Sequence, residues 1–212
     1  MKYDSVIFDL DGTLLDTLDD LRDSVNFALR AHGLPERTLP EIRCFVGNGV
    51  GNLVKRSAGD VSEKEVDEIL ATFRSHYKDH SSDKTKPYEG IIGLLSSLRE
   101  RGIPTAVVSN KIDSAVRALI PEYFGDLIDV AIGELEGVKR KPAPDTVRLA
   151  MERLCVSCPV YVGDSEVDVQ TAKNAGIDGI FVTWGFRSED ELRAAGAERL
   201  VKSPDELKEA LL

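Results

Sequence analysis

The sequence is poor in the features that mark secreted, membrane-spanning or disordered chains. It has only three cysteines in 212 residues and no signal-peptide pattern at its start, so we expect reduced thiols rather than disulfides. No apolar run approaches the roughly 18 residues that a membrane-spanning helix needs. Hydrophobic residues make up 42% of the chain and charged residues 30%, which is typical of folded proteins. We therefore expect a compact cytoplasmic protein, either a monomer or a homodimer.

The chain also lacks a basic stripe, and its formal net charge is −10. A nucleic acid or an anionic membrane would be repelled over most of such a surface. We therefore expect neither as a partner. If the substrate is a small phosphate ester, the same acidic balance calls for a bound divalent cation to reverse the local field.

Short apolar runs rich in β-formers recur along the chain. They lie at 5–8, 105–108, 127–130, 160–162 and 179–182, and helical patterns separate them from residue 87 onward. Strands buried on both faces read as such runs in parallel sheets. The alternation predicts an α/β fold, a Rossmann-like doubly wound parallel sheet with helices on both faces.

Several helix ends are also predicted from the sequence. Pro144 can open a helix, because a proline in the first turn loses no hydrogen bond there. Ser188 with Glu191, and Ser203 with Glu206, have the spacing of a capping box, in which side chain and backbone satisfy each other. These signals place helices directly after the corresponding loops.

Residues 15–84 interrupt the alternation of strands and helices. Apolar residues recur there at helical spacing, without convincing strands. We interpret this stretch as a helical cap domain inserted after the first strand, with 1–14 and 85–212 forming the catalytic core. An insertion at that point is expected to lie over the strand tips.

Two carboxylates one residue apart follow the first predicted strand. Asp9 and Asp11, in the run Asp9-Leu10-Asp11-Gly12-Thr13, can both face one cavity and could serve different catalytic tasks. A calcium loop is an alternative, although its further ligands are not in register. An ordinary acidic turn is another.

A second acidic loop, 163–168, follows the strand at 160–162. It brings Asp164 and Asp168 to the start of a helix. Ligands of open parallel sheets bind at the carboxyl ends of the strands, so this loop and Asp9 should share one crevice. Together they form an oxygen-rich site suited to Mg²⁺. Taken alone, Asp168 is also explained as a favourable acid at a helix N-terminus.

Two further polar groups follow predicted strands or loops. Ser109 and Asn110 end the strand at 105–108 and could contact a phosphate. Lys141 precedes Pro142, and a rigid turn there would fix the direction of its ammonium. Each signal is weak by itself, and a solvated lysine is the ordinary alternative.

Together these motifs resemble the haloacid dehalogenase superfamily. The matching residues are D-x-D-G-T at 9–13, the strand-ending Ser109, Lys141 in K-P-x-P, and G-D-S-x-x-D at 163–168. The helical insertion resembles that family's first cap type. Residues 42–49 and 109–111 further resemble phosphoglycolate phosphatases.

The resemblance implies a mechanism. Asp9 would be the nucleophile, and Asp11 would be the general acid and then the general base. Mg²⁺ would bind the Asp9 carboxylate, the Asp11 carbonyl and Asp164, with Asp168 supporting the site. The expected phosphate and substrate contacts are Ser109, Lys141, Gly12, Thr13, Asn110, Arg43, Gly47 and Asn48. The implied activity is hydrolysis of a small phosphorylated metabolite, and 2-phosphoglycolate is the first candidate substrate.

Two other functions remain open from the sequence. A β-phosphoglucomutase-like enzyme would return the phosphoryl group to a sugar. A non-catalytic phospho-aspartate module would also place acids at strand tips, but it needs no proton donor such as Asp11. We assign no function to Cys155 and Cys158, which have C-x-x-C spacing without a second pair.

Overall fold

The computed structural model describes residues 2–47 and 49–212. In chain order its elements are β1 (Ser5–Phe8), β2 (Leu15–Asp16), α1 (Leu18–Ala31), α2 (Leu39–Phe45), α3 (Gly49–Ala58), α4 (Glu63–His80), β3 (Lys86–Pro87), α5 (Ile91–Glu100), β4 (Thr105–Ile112), α6 (Asp113–Phe124), β5 (Val130–Glu134), α7 (Asp145–Leu154), β6 (Pro159–Gly163), α8 (Glu166–Ala175), β7 (Asp178–Val182), α9 (Glu189–Ala194), β8 (Leu200–Val201) and α10 (Pro204–Leu211).

The chain divides into two compact units. The sheet unit comprises Met1–Leu15 and Pro87–Leu212, and the helical unit comprises Asp16–Lys86. These bounds lie one or two residues from the domain limits that the sequence predicts. The placement of the insertion over the strand tips stays a prediction.

The sheet unit is built on a six-stranded sheet in the order β5-β4-β1-β6-β7-β8. All its pairings are parallel, which confirms the predicted α/β class. In the register of β1 with β6, Phe8 lies opposite Val162. The residues that follow these two strands therefore leave the sheet at the same edge.

Alternate residues of the central strands pack on opposite faces of the sheet. Val6 and Phe8 join an apolar core with α5, α6 and α10. Ile7 and Tyr161 face the other side and join a second core with α7 and α8. Burial on both faces fixes the register, because a slip of one residue would exchange the two cores.

The strand predicted at 127–130 begins three residues too early. The strand β5 begins only at Val130, which pairs with Ala106. Before it, the Leu127 carbonyl accepts from Thr105 Oγ1, and the Asp129 carboxylate accepts from the Thr105 N–H. Hydrogen bonds that involve side chains therefore hold residues 127–129 at the start of β4, and the regular pairing of β4 with β5 begins only at Val130.

Three other expectations need correction. The strand predicted at 105–108 extends to Ile112, with an irregular register after Val108. The short strand β8 has no counterpart among the predicted strands. At Ser203 the side chain caps α10 as predicted, but the Glu206 carboxylate accepts from the Lys202 N–H. The capping box at Ser188 is complete, as predicted.

The helical unit contains α1 to α4, and its core lies between α1 and α4. The predicted apolar stripes are buried except for Leu70, which is half-buried: Leu21, Val25, Ala28 and Leu29 from α1, and Val66, Ile69, Phe73 and Tyr77 from α4. His76 stacks on Phe27 and on His80, with ring centroids 4.1 and 4.2 Å apart. Asp20 is 2% exposed, and its carboxylate accepts from the N–H groups of Lys84 and Thr85 at 2.8 to 3.0 Å.

Within residues 2–47 and 49–212, none of the helices combines the length and the apolar character needed to cross a bilayer. The three cysteines are free and exposed. Cys155 and Cys158 lie between α7 and β6. The cytoplasmic location stays a prediction.

Candidate active site

Asp9 follows β1 directly and is held at the edge of the sheet. Its N–H donates to the carbonyl of Val162 at 2.8 Å, which extends the pairing of β1 with β6 by one bond. The residue is only 8% exposed. The strand thus points a buried carboxylate beyond its carboxyl end.

Asp164 lies on the neighbouring strand tip, and donors hold both of its oxygens. Thr13 Oγ1 donates to Oδ1 at 3.0 Å, and the N–H of Phe186 donates to Oδ2 at 2.7 Å. Gly12 passes so close that a Cβ there would lie 2.3 Å from Asp164 Oδ2, and its φ is +87°. Only glycine fits this position without displacing the carboxylate.

Lys141 connects Asp9 to a second buried carboxylate. Its Nζ lies 2.8 Å from Asp9 Oδ1 and 2.8 Å from Asp168 Oδ1. The same ammonium donates to the Tyr161 hydroxyl at 2.9 Å, and that hydroxyl donates to Asp168 Oδ1 at 2.9 Å. All four side chains are buried, so the ammonium is fixed in direction.

Asp168 uses both carboxylate oxygens within the protein. While Oδ1 binds Lys141 and Tyr161, Oδ2 accepts from Ser165 Oγ at 2.5 Å, from the Ser165 N–H at 3.1 Å and from the Asp164 N–H at 3.2 Å. It also completes the capping box of α8. With its oxygens engaged in this way, Asp168 orients Lys141 and the loop that carries Asp164.

In this cluster three buried carboxylates lie close together with only one ammonium, that of Lys141, in contact with two of them. Burial raises the pKa of Asp9 to about 7, against the opposing attraction of Lys141. Burial and repulsion from Asp168 and Asp9 raise the pKa of Asp164 well above its usual range. For Asp168 the charge of Lys141 and its hydrogen bonds outweigh burial, so its pKa is lowered.

These carboxylates fit a divalent cation. One oxygen from each of Asp9, Asp164 and Asp168 lies within 4.8 Å of the others, and all three residues are buried. Hard oxygen donors of this kind suit Mg²⁺. A cation here would relieve the repulsion that raises the pKa values of Asp9 and Asp164.

Asp11 lies next to a second buried lysine. Lys111 Nζ is 2.9 Å from Asp11 Oδ1, and the side chains are 2% and 17% exposed. Lys111 belongs to β4, as do Ser109 and Asn110. Ser109 Oγ accepts from the Lys111 N–H at 3.2 Å, and Asn110 Nδ2 donates to the carbonyl of Lys141 at 3.0 Å.

The structure brings most of the predicted site residues together in the sheet unit. They are Asp9, Asp11, Gly12, Thr13, Ser109, Asn110, Lys141, Asp164 and Asp168. Thr13 was predicted as a substrate contact, but its side chain is fully buried and holds Asp164. Arg43 in α2 and Gly47 lie in the helical unit, where Arg43 is exposed. Asn48 lies outside the described residues.

Sequence reasoning did not assign a role to Tyr161, Lys111 or Phe186. Tyr161 reads as one apolar residue in a buried strand, although its alternation with Val160 and Val162 places it on the opposite face. Lys111 could have been found from its position two residues after Ser109. Phe186 acts through its backbone N–H, for which the sequence carries no signal.

The family of this site is now clear from comparison with known proteins. A model of the haloacid dehalogenase-like hydrolases matches residues 6–182, which span β1 to β7. The chain belongs to this family. It is a hydrolase of phosphoric monoesters.

Similar proteins bear more specific names. A phosphoglycolate phosphatase of Rhodobacter capsulatus is 38% identical over 86% of this chain and 85% of its own. One of Xylella fastidiosa is 31% identical over 94% of this chain and 89% of its own. A candidate phosphoglycolate phosphatase from Lactobacillus delbrueckii subsp. bulgaricus, known from a crystal structure, is 39% identical in sequence to this chain. The two structures match with a TM-score of 0.96, over 100% of this chain and 99% of the other.

Proposed function

We propose that this enzyme is a Mg²⁺-dependent phosphatase that hydrolyses 2-phosphoglycolate through a phosphoryl group carried on Asp9. The observation that carries the proposal is the buried cluster of Asp9, Asp164 and Asp168. Asp9 and Asp164 follow neighbouring parallel strands, and Lys141 contacts both Asp9 and Asp168. The names of the similar proteins support the choice of substrate.

In the first step, a carboxylate oxygen of Asp9 attacks phosphorus while the bond to the ester oxygen breaks. Lys141 holds the Asp9 carboxylate through Oδ1, so the attacking group is oriented before substrate arrives. The Asp11 carboxyl gives its proton to the departing ester oxygen. The products of this step are the free alcohol and the phosphoryl group on Asp9.

In the second step, the Asp11 carboxylate takes a proton from water, and the water oxygen attacks phosphorus. The bond between phosphorus and the Asp9 oxygen breaks, which releases inorganic phosphate and restores the carboxylate. Asp11 therefore returns to its starting state. The same residue serves as acid and then as base because its proton is lost in one step and regained in the other.

The remaining side chains supply charge and position. The Asp9 and Asp164 carboxylates and the Asp11 carbonyl would hold Mg²⁺, which supplies positive charge toward the phosphate oxygens when bound. Lys141 supplies a second positive charge on the same side, and Ser109 and Gly12 are the predicted further phosphate contacts. Thr13 and Asp168 keep Asp164 and Lys141 in place.

A phosphate-release assay on a substrate panel tests the proposal. The panel contains 2-phosphoglycolate, sugar phosphates, nucleotides and pyrophosphate, each with Mg²⁺ and with a chelator. We expect Mg²⁺-dependent release, with the highest kcat/KM for 2-phosphoglycolate. A low rank for 2-phosphoglycolate would overturn the substrate assignment and leave the phosphatase class in place. Conversion of a sugar phosphate to its isomer without free phosphate would instead indicate a mutase.

A further inference from the structure

A second buried ammonium lies on the leaving-group side of the site. Lys141 contacts Asp9 and Asp168, which places it beside the nucleophile. Lys111 contacts Asp11, the group that protonates the departing oxygen, at 2.9 Å. In the mechanism proposed above, the phosphate would therefore bind on the side of Lys141 and the released alcohol would lie on the side of Lys111.

The position of Lys111 suits a substrate that carries an anion next to its ester oxygen. Burying a lysine is costly unless an opposite charge accompanies it, and Lys111 is 2% exposed. Asp11 supplies a counter-charge in the resting site. A substrate anion that lies beside Asp11 would meet the same ammonium, which can donate to both groups.

We propose that Lys111 binds a carboxylate of the substrate, which makes the preferred substrates phosphate esters with a carboxylate close to the ester oxygen. This inference rests on the proposed phosphatase function and narrows its substrate class. In 2-phosphoglycolate a single methylene separates the ester oxygen from the carboxylate. Asp11 must touch that ester oxygen, so an ammonium in contact with Asp11 lies within reach of the carboxylate.

The sequence predicts Arg43 as a substrate contact, whereas this proposal assigns the substrate carboxylate to Lys111. An ammonium has three donors, so one group can contact Asp11 and a substrate oxygen together. Lys111 also projects from a strand of the sheet, which gives it a fixed position. A role limited to holding Asp11 is the competing explanation, and it would affect every substrate equally.

A pair of matched substrates separates the two explanations. 2-Phosphoglycolate and 2-hydroxyethyl phosphate share a backbone, but the second has a hydroxymethyl group in place of the carboxylate. In Lys111→Met we expect the preference for 2-phosphoglycolate, measured as the ratio of the kcat/KM values, to fall by roughly 10- to 100-fold. Equal losses for both substrates would overturn the proposal.

Three further variants make the test decisive. Lys111→Gln, which can still donate to Asp11, should lose the same preference and serves if thermal unfolding shows that the Met variant is not folded. Lys173→Met, an exposed lysine at the end of α8, should keep the preference. If Arg43→Ala loses the preference while the Lys111 variants keep it, the carboxylate is not bound by Lys111. If the unaltered enzyme itself hydrolyses both substrates equally well, the phosphoglycolate assignment fails together with this one.

Discussion

The two units bury carboxylates in opposite ways. In the sheet unit, Asp9 and Asp164 lie close to each other and to Asp168, so burial and mutual repulsion raise their pKa values. In the helical unit, the buried carboxylate of Asp20 accepts from backbone N–H groups of Lys84 and Thr85. The first arrangement costs stability and prepares a reactive site, whereas the second ties the end of the unit to its first helix.

Burial of a charged side chain therefore does not by itself indicate function. What distinguishes the sheet unit is that its acids face each other with one shared ammonium, in a position where another cation would be stabilised. Substitutions in the two units should therefore have opposite profiles. Those in the sheet unit should remove activity, and those at Asp20 should lower stability.

Asp9→Asn should give the largest effect on activity. The amide cannot accept a phosphoryl group, so kcat for phosphate release should fall at least about a thousandfold. Because an ionised Asp9 is disfavoured by burial, the Tm in metal-free buffer at about pH 8 should not fall. Phosphate release and differential scanning fluorimetry measure the two quantities.

Asp205→Asn is the control for that prediction, because it makes the same change at an exposed acid of α10. Its kcat should equal that of the parent. If Asp9→Asn turned over substrate as fast as Asp205→Asn, Asp9 would not be the nucleophile.

Asp168→Asn should reduce kcat by about a hundredfold, a smaller loss than at Asp9. The change removes the charge that holds Lys141 and weakens the bonds that fix the loop before α8. Small displacements of catalytic groups lower reaction rates by about a hundredfold. Steady-state kinetics measure it. Asp190→Asn, also in the first turn of a helix but exposed, should be neutral. An equally small effect from Asp168→Asn would show that Lys141 needs no second carboxylate.

Much of the sheet unit could be predicted from the sequence, because the patterns that specify its strands and the acids that follow them are local. An apolar run followed by an acid gives both a buried strand and the group at its tip, which is why Asp9 and Asp164 could be assigned. The order of strands in a parallel sheet then brings such tips together. For Lys141 the sequence predicted a rigid turn that fixes the ammonium, but it did not predict the carboxylates that the ammonium contacts.

The remaining features depend on contacts between distant residues. The start of β5 is set by bonds to Thr105, more than twenty residues away. Lys111 pairs with Asp11 across 100 positions, and Asp20 with Thr85 across 65. In the sequence, Asp20 is one of several acids near the start of α1, together with Asp16, Asp19 and Asp23. No local pattern distinguished the buried one.

Asp20→Asn should lower the stability of the helical unit by about 1–3 kcal/mol, because an amide presents a donor to N–H groups that need acceptors. Urea unfolding measures the loss, and hydrogen exchange at the Lys84 and Thr85 amides should speed up. Asp19→Asn is the matched control: its carboxylate is half exposed and pairs with Arg22, so its loss should cost less than about 1 kcal/mol. Equal losses for the two variants would contradict the role given to Asp20.

The smallest effect concerns the dependence of stability on pH in the sheet unit. The pKa of Asp9 is about 7 in the folded chain and about 4 when unfolded, so its contribution to stability is full below about pH 4 and is lost as the pH rises to about 7. Asp164 acts in the same direction.

Mg²⁺ competes with protons for these oxygens, so its apparent affinity should rise by up to about tenfold per pH unit below pH 7. Scanning fluorimetry should therefore show a larger Mg²⁺-induced rise in Tm at about pH 8 than at about pH 5.5. Asp9→Asn should flatten this dependence, and a Mg²⁺ effect independent of pH would place the metal elsewhere.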